Sequence, residues 1–245
     1  MTSELSFFLK TGFVILKDIV PLQLIENVLR EFTSITKSVL DNRSKLNDLN
    51  FNFKTWTAPK MHEHLIALRK ERPEIFGEIY DQLSFCKSVI QLFQNELLVD
   101  KTSLLLKCPR NSIYSTGINL RMDVPFDKRN TIDWHQDSAH NQNIDKKSLV
   151  IWIPMHHVSE ENGTISVCEK SHCEGIFPFK KESKTKTGFS EQRAIEDKII
   201  NRYKISPVML SSGDAILFDW NLIHKSGFNT STQIRFAARC LMHSG

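Results

Sequence analysis

The sequence predicts a mainly β fold, a sandwich or barrel with helices packed against it. Three observations point there: helical periodicity through the first hundred residues, a change of texture near residue 102, and a series of short β-rich runs from there onward. With 245 residues the chain can bury a full core, and β sandwiches and barrels of this size commonly form one unit. One domain over residues 1–245 is therefore expected.

After a short apolar strand candidate at 12–16, Pro21 opens a segment in which Leu22, Ile25, Val28, Leu29 and Phe32 recur at 3.6-residue spacing. That is an amphipathic helix with proline in its first turn. A block at 73–98, with Ile75, Ile79, Leu83, Ile90 and Phe93, predicts one or two more helices. Residues 1–100 thus form a helix-rich buttress, and 102–245 the β core. Strands are expected at 103–107, 113–123, 148–155, 164–168, 205–210, 215–220 and 234–242, where β-branched and aromatic residues alternate with turn residues. The polar excursion at 177–204 breaks that rhythm, and its length predicts a lid or a mobile insertion.

Composition narrows the function classes. Apolar residues make up 40% and charged residues 24%, with nine glycines and eight prolines, which excludes disordered and collagen-like chains. The net charge of +4 comes from Lys and Arg spread along the chain without a basic block, so nucleic acid is not an expected partner. Five cysteines without C-x-x-C spacing predict a reducing compartment, each thiol acting as a small buried hydrophobe. Glu4, Lys10, Lys17 and Asp18 interrupt the apolar N-terminal residues, leaving no signal or membrane-spanning run. A cytoplasmic enzyme with a small-molecule substrate is the simple expectation.

The chemistry centres on TIDWHQDSAH at 131–140. In extended structure His135 and Asp137, two apart, project from one face and can share a metal. His224, in FDWNLIHKSG after a predicted strand, is best placed as third ligand. Two imidazoles and a carboxylate on one face of an octahedron form the arrangement of non-haem Fe(II) oxygenases. An H-x-D pair alone arises by chance in roughly one such sequence out of two, so the weight falls on the residues after His224. Ser226 lies two residues on and Arg235 eleven on, the latter in the alternating strand IRFAARC. An arginine inside a barrel is costly unless it meets an anion, and its planar fork suits a carboxylate. Arg235 is a natural clamp for the distal carboxylate of a dicarboxylic acid.

WHQD, then LVIWIPM followed by EENGTISVCEKSH, then HKSGFNTSTQIRFAAR resemble the phytanoyl-CoA dioxygenase family of 2-oxoglutarate oxygenases. The resemblance runs from about Phe7 to Leu241 and includes the opening FFLKTGFVILKDIVP. It implies a double-stranded β-helix core, jelly-roll or cupin-like. It implies that His135, Asp137 and His224 bind Fe(II), that Arg235 and Ser226 bind the far carboxylate of 2-oxoglutarate, and that Trp152 lines the site. Asn119 or Arg121 would touch the co-substrate from the strand before. O2 is then the second co-substrate, with hydroxylation of an unactivated C–H bond of a small metabolite and release of succinate and CO2. Chlorination is disfavoured, because related halogenases carry a small residue where this chain has Asp137. The family's P-G-S-H is here EKSH at 169–172, which predicts a turn of different shape.

Two other classes use the same residues: a zinc-type hydrolase or isomerase on the triad, and a non-catalytic ligand-binding barrel. Neither needs Arg235 and Ser226. The remaining histidines carry less. His62 and His64 are expected in solvent, since i and i+2 on a helix do not face each other. His156 and His157 follow a strand and are expected in a loop rather than at the cavity mouth, while His140 and His172 stay open. The lysines and arginines of 177–204, among them Lys180, Lys181, Lys184, Lys186 and Arg193, form either a solvated loop or an anion-attracting entrance. The entrance would favour an anionic substrate bearing phosphate, carboxylate or CoA. Substrate identity and oligomeric state stay open.

Overall fold

The computed structural model describes residues 3–43, 51–83, 85–140, 147–182 and 192–245. The N-terminal α1 (Ser3–Thr11) and β1 (Phe13–Leu16) lead into α2 (Leu22–Arg43), α3 (Pro59–Glu71), α4 (Pro73–Leu83), α5 (Lys87–Phe93) and α6 (Glu96–Leu106). The strands that follow are β2 (Ile113–Asp123), β3 (Ser148–Pro154), β4 (Ile165–Cys168), β5 (Lys180–Glu182) and β6 (Gln192–Ala194). The short α7 (Asp197–Ile200) precedes β7 (Ile205–Pro207), β8 (Ala215–Asp219), β9 (His224–Ser226) and β10 (Arg235–Ser244).

Two antiparallel sheets carry the core. The larger has the order β1-β8-β3-β10-β2 and the smaller β7-β4-β9. Phe13, Val150, Ile216 and Ala237 of the larger pack with Ile165, Val167 and Val208 from the smaller side, so the sheets face each other. This is the jelly-roll that the family resemblance implies. The other face of the larger sheet is covered by helices. Along β10 the two-residue period sorts the side chains: Phe236, Ala238, Cys240 and Met242 join the helical core, whereas Ala237 and Leu241 face the smaller sheet. Phe236 is the main anchor, its ring centroid 5.4 Å from Phe32 of α2 and 4.7 Å from Trp56.

Several expectations are corrected. Residues 103–107 end helix α6 and form no strand. Asn95 caps that helix, its Oδ1 accepting from the Leu97 amide at 3.0 Å, and Leu98, Thr102, Leu105 and Leu106 are buried at helical spacing until left-handed Lys107 stops it. The block at 73–98 holds two helices and the start of a third. Cys86, Cys168 and Cys240 are buried as expected, but Cys108 is half-buried and Cys173 exposed. At the EKSH turn Lys170 takes φ +71°, the left-handed conformation that favours glycine. Buried Ser171 accepts there from the Ile223 amide at 2.8 Å.

The excursion at 177–204 is anchored at both ends. Phe177, Ile195, Ile199 and Ile200 pack against Trp134, Cys168 and Ile223, and the Ile195 amide donates to the Trp134 carbonyl at 2.8 Å. β5 and β6 pair between them. Lys184 and Lys186 lie outside the described residues. Among the described residues no helix is long and apolar enough to cross a membrane.

His62 is buried, contrary to expectation, and His156, in the loop after β3 as expected, is buried too; both serve the start of β10. His62 Nδ1 accepts from the Ile234 amide at 3.1 Å and His156 Nε2 from the Phe236 amide at 3.2 Å. α3 and the end of β3 thereby satisfy amides that would otherwise be orphaned in the core. Accepting requires neutral rings, and burial, reinforced by nearby His62, pushes His156 down to about 4 from an ordinary 6.5. A depressed histidine stabilises the fold above its unfolded pKa, and that contribution is lost as pH falls from 6.5 toward 4. Stability to guanidinium should therefore drop across this window, His156 alone accounting for about 3 kcal/mol. His156→Gln, which keeps an acceptor that does not titrate, should flatten the slope; an unchanged slope would show that His156 is not the group responsible.

Candidate active site

The triad is assembled by backbone pairing. His135 and His224 face each other across an antiparallel bridge, each amide donating to the other's carbonyl at 3.0 Å. Residues directly opposite in such a pair send their side chains to the same face, and here the ring centroids stand 4.2 Å apart. The Ser226 amide extends the pairing to the Ile132 carbonyl at 2.9 Å, so residues 132–135 act as an added edge beside β9. Asp137 does not continue an extended strand as the sequence suggested. It begins a 3-10 turn, Asp137–His140, that folds its carboxylate back to the imidazoles. Each of its oxygens is 3.8 Å from one Nε2, and the three ligand atoms lie within 4.8 Å of one another.

Gln136 holds this turn from behind. It is 1% exposed; its Nε2 donates to the Gly175 and Asn221 carbonyls at 2.8 and 2.5 Å, and its Oε1 accepts from the Phe177 amide at 2.8 Å. The middle residue of H-x-D thus ties the ligand loop to both neighbouring segments.

Protonation suits a metal. His135 Nδ1 lies 2.7 Å from the Asp133 carbonyl and His224 Nδ1 3.0 Å from that of Leu222, so each Nδ1–H donates to backbone and leaves the Nε2 lone pair toward Asp137. Burial, with His224 alongside, pushes His135 down to about 3, and burial also lowers His224. Burial opposes ionisation of Asp137, but Arg239, with Nη2 2.8 Å from Oδ2, outweighs it and holds the carboxyl well below its usual range. Two neutral imidazoles and a carboxylate are therefore present at neutral pH, the deprotonated form that ligation requires.

The triad opens on a cavity of about 340 Å³ between the sheets. Val150, Trp152, Ile165, Phe218 and Leu241 supply apolar wall; Asn119, Arg121, Ser226 and Arg239 supply polar groups. Trp152 is thus a site wall, and Asn119 and Arg121 both line the site. They differ in commitment: Arg121 donates to Asp123 Oδ1 at 3.0 Å and to the Asn130 carbonyl, while Asn119 Oδ1 has no hydrogen-bond partner among the described residues. His140 also lines the cavity, whereas His172 lies by the Leu9 carbonyl.

Arg235 meets an anion within the fold. It is 1% exposed, and its Nε and Nη2 both donate to Asp123 Oδ2, the former at 3.2 Å. Asp123 is thereby shared between Arg121 and Arg235. Nη1 of Arg235 has no partner among the described residues, and the guanidinium carbon is 5.8 Å from the Trp152 ring centroid. A buried, uncommitted donor beside a cavity that also presents the Ser226 hydroxyl fits a small dicarboxylate, as the triad fits a divalent metal.

Four residues escaped the sequence analysis. Gln136 and Asp123 act through hydrogen bonds that no spacing reveals. Tyr80 reaches the cavity from α4, with burial pushing its phenol up to about 12, and gave no signal. Arg239 was readable, because four residues along a strand from inward-facing Arg235 the side chain faces inward again.

Comparisons with known proteins agree with this geometry. The family model described as Phytanoyl-CoA dioxygenase (PhyH) matches residues 8–237. A phytanoyl-CoA dioxygenase domain-containing protein 1 homolog of Dictyostelium discoideum is 32% identical over 107 residues, which is 43% of this chain and 38% of that protein. The match therefore spans well under half of the relative. Among solved structures, the apo non-heme monooxygenase ThoJ superposes with TM-score 0.61 at 18% identity, covering 99% of this chain and 77% of that one. The epimerase SnoN, in complex with Fe3+, alpha ketoglutarate and nogalamycin RO, gives TM-score 0.61 at 12% identity, covering 98% and 82%. These two likenesses establish the fold. With a family model spanning nearly all of its length, and a triad and cavity that fit Fe(II) and 2-oxoglutarate, the chain belongs to the phytanoyl-CoA dioxygenase family.

Proposed function

We propose that this protein is an Fe(II)- and 2-oxoglutarate-dependent dioxygenase that hydroxylates an unactivated C–H bond of a small metabolite, releasing succinate and CO2. The observation that carries this is the pairing of a buried His135, Asp137 and His224 triad with an arginine, Arg235, that keeps one uncommitted donor. Fe(II), when bound with 2-oxoglutarate and O2, supplies the oxidising power for such a bond. The chain's own residues do the rest. The Asp133 and Leu222 carbonyls fix the tautomer and tilt of the two imidazoles. Arg235 Nη1 and the Ser226 hydroxyl bind the far carboxylate of the co-substrate, with Trp152 beside them. Val150, Phe218 and Leu241 hold the substrate's apolar part and keep water from the reacting centre. A hydrolase could use the same triad, but has no use for a carboxylate clamp.

Anaerobic addition of Fe(II) and then 2-oxoglutarate should produce the weak visible charge-transfer band of the chelate, and admission of air a slow formation of succinate. His135→Ala and Asp137→Ala should abolish both; correctly folded wild-type protein that shows neither would exclude the oxygenase. Arg235→Ala should act differently, raising the 2-oxoglutarate concentration for half-maximal band by about 10- to 100-fold, the worth of one charged hydrogen bond. Titration of the band would detect this, and an unshifted midpoint would move the co-substrate's carboxylate to another residue.

A further inference from the structure

The cavity keeps a positive charge that its cofactors do not consume. Arg121, Arg193 and Arg239 line it and Arg235 stands beside it, against two carboxylates, Asp123 and Asp137. The imidazoles are neutral, and Fe(II) and 2-oxoglutarate, of charge +2 and −2, cancel each other. Four guanidinium groups against two carboxylates leave positive charge over, and a cavity so lined attracts an anion.

The ion pairs show which guanidinium stands by the metal ligands. Asp123 is occupied on both oxygens by Arg121 and Arg235. Arg239 is part-exposed, and its Nη2 lies 2.8 Å from Asp137 Oδ2, a carboxylate that a bound metal would share, which would leave Arg239 donors for another anion. Arg239 sits one β10 period beyond Ala237 on the cavity face, level with Asn119 of β2. A bulge in β2 beside this pair places Gly117 at φ +60°, and a Cβ there would be 3.5 Å from Arg239 Nη1. Leu241, Val150 and Phe218 form apolar wall in the same cavity. Arg235 and Arg239 are four residues apart on one strand, roughly 13 Å, which is enough to separate two anions.

We propose that Arg239, with Asn119 beside it, binds an anionic group of the substrate, a carboxylate or a phosphate, while the substrate's apolar part lies along Val150, Phe218 and Leu241. This rests on the oxygenase function proposed above and names its substrate class. Arg239 supplies the charge and directional donors, and the Asn119 Nδ2, which otherwise makes only a 3.4 Å bond to the Gly117 carbonyl, adds a further N–H.

The test uses the anaerobic protein loaded with Fe(II) and saturating 2-oxoglutarate, titrated calorimetrically with hexanoate, hexyl phosphate, hexylamine and hexanol. One of the two anions should bind at least about tenfold more tightly than hexanol, and the tighter of them identifies the group. Arg239→Gln should bring that anion-to-alcohol ratio close to one, and Arg239→Lys should restore part of it. A merely structural arginine would change overall binding but not the ratio. Equal binding of anion and alcohol by the wild type, a ratio unchanged in Arg239→Gln, or an anion that binds only by erasing the charge-transfer band would each overturn the proposal. Failure of the wild type to form that band would instead overturn the oxygenase function, and with it the charge count.

Discussion

The reciprocal hydrogen bonds between the backbones of His135 and His224 are the constraint on which the site depends. Eighty-nine residues separate the two ligands in sequence, and nothing in the side chains alone would bring them together. Once the amide and carbonyl of each are paired with the other, both imidazoles must leave the same face at a fixed spacing. The remaining features secure that pair. Gln136 fastens the ligand loop to Gly175, Phe177 and Asn221, and Ser171 accepts from the Ile223 amide just before the second histidine. The turn that begins at Asp137 folds its carboxylate back beside His135, while Gln136 between them points away from the cavity. One short segment therefore presents two ligands and its own anchor.

Strand β10 plays the corresponding part on the opposite sheet. Its helix-facing residues lock into the aromatic cluster of Phe32, Trp56 and Phe236, while its cavity-facing residues carry Arg235 and Arg239. A shift of one residue would exchange the two sets, burying both guanidinium groups among hydrocarbons and exposing Phe236 to the cavity. The register is thus protected by packing energy unrelated to catalysis. His62 and His156 add to this by accepting from amides at the entry to the strand. Stability and function share one element, so the cavity's arginines stay positioned even though each is expensive to bury.

Much of this was legible in the sequence. Strand β2 was expected at its observed bounds, and β3, β4, β8 and β10 to within a few residues, because each is a β-branched run closed by turn residues. The triad and Arg235 were legible because H-x-D, a histidine after a late strand and an arginine eleven residues on occur in that order, although Asp137 reaches the site through a turn rather than a strand. What failed had physical reasons. Residues 103–107 carry three leucines, which suit a helix or a strand, and only the Asn95 cap decides between them. His62 was expected in solvent because periodicity does not report that a histidine has an amide to accept from. Asp123 was invisible as a site residue because its role is defined by two arginines, one on its own strand and one 112 residues away.

That unseen aspartate alters how the arginine clamp should be understood. An isolated guanidinium in the core would bear the full desolvation cost whenever the cavity stood empty, and would be free to swing toward any available acceptor. Sharing Asp123 with Arg121 removes much of that cost and holds Arg235 by two of its nitrogens while leaving Nη1 uncommitted. An incoming carboxylate then meets a donor already oriented, and less conformational entropy is lost on binding. The same arrangement caps the affinity, because Asp123 repels a second anion placed near the same guanidinium. Two basic residues around one acidic residue leave a net attraction of a single charge, and the third arginine, Arg239, stands clear of that balance beside the metal ligands. The interior is divided by its own ion pairs into a cationic pole around Asp123, which Arg121 and Arg235 share, and a one-to-one pair of Arg239 with Asp137, an asymmetry present before any ligand enters.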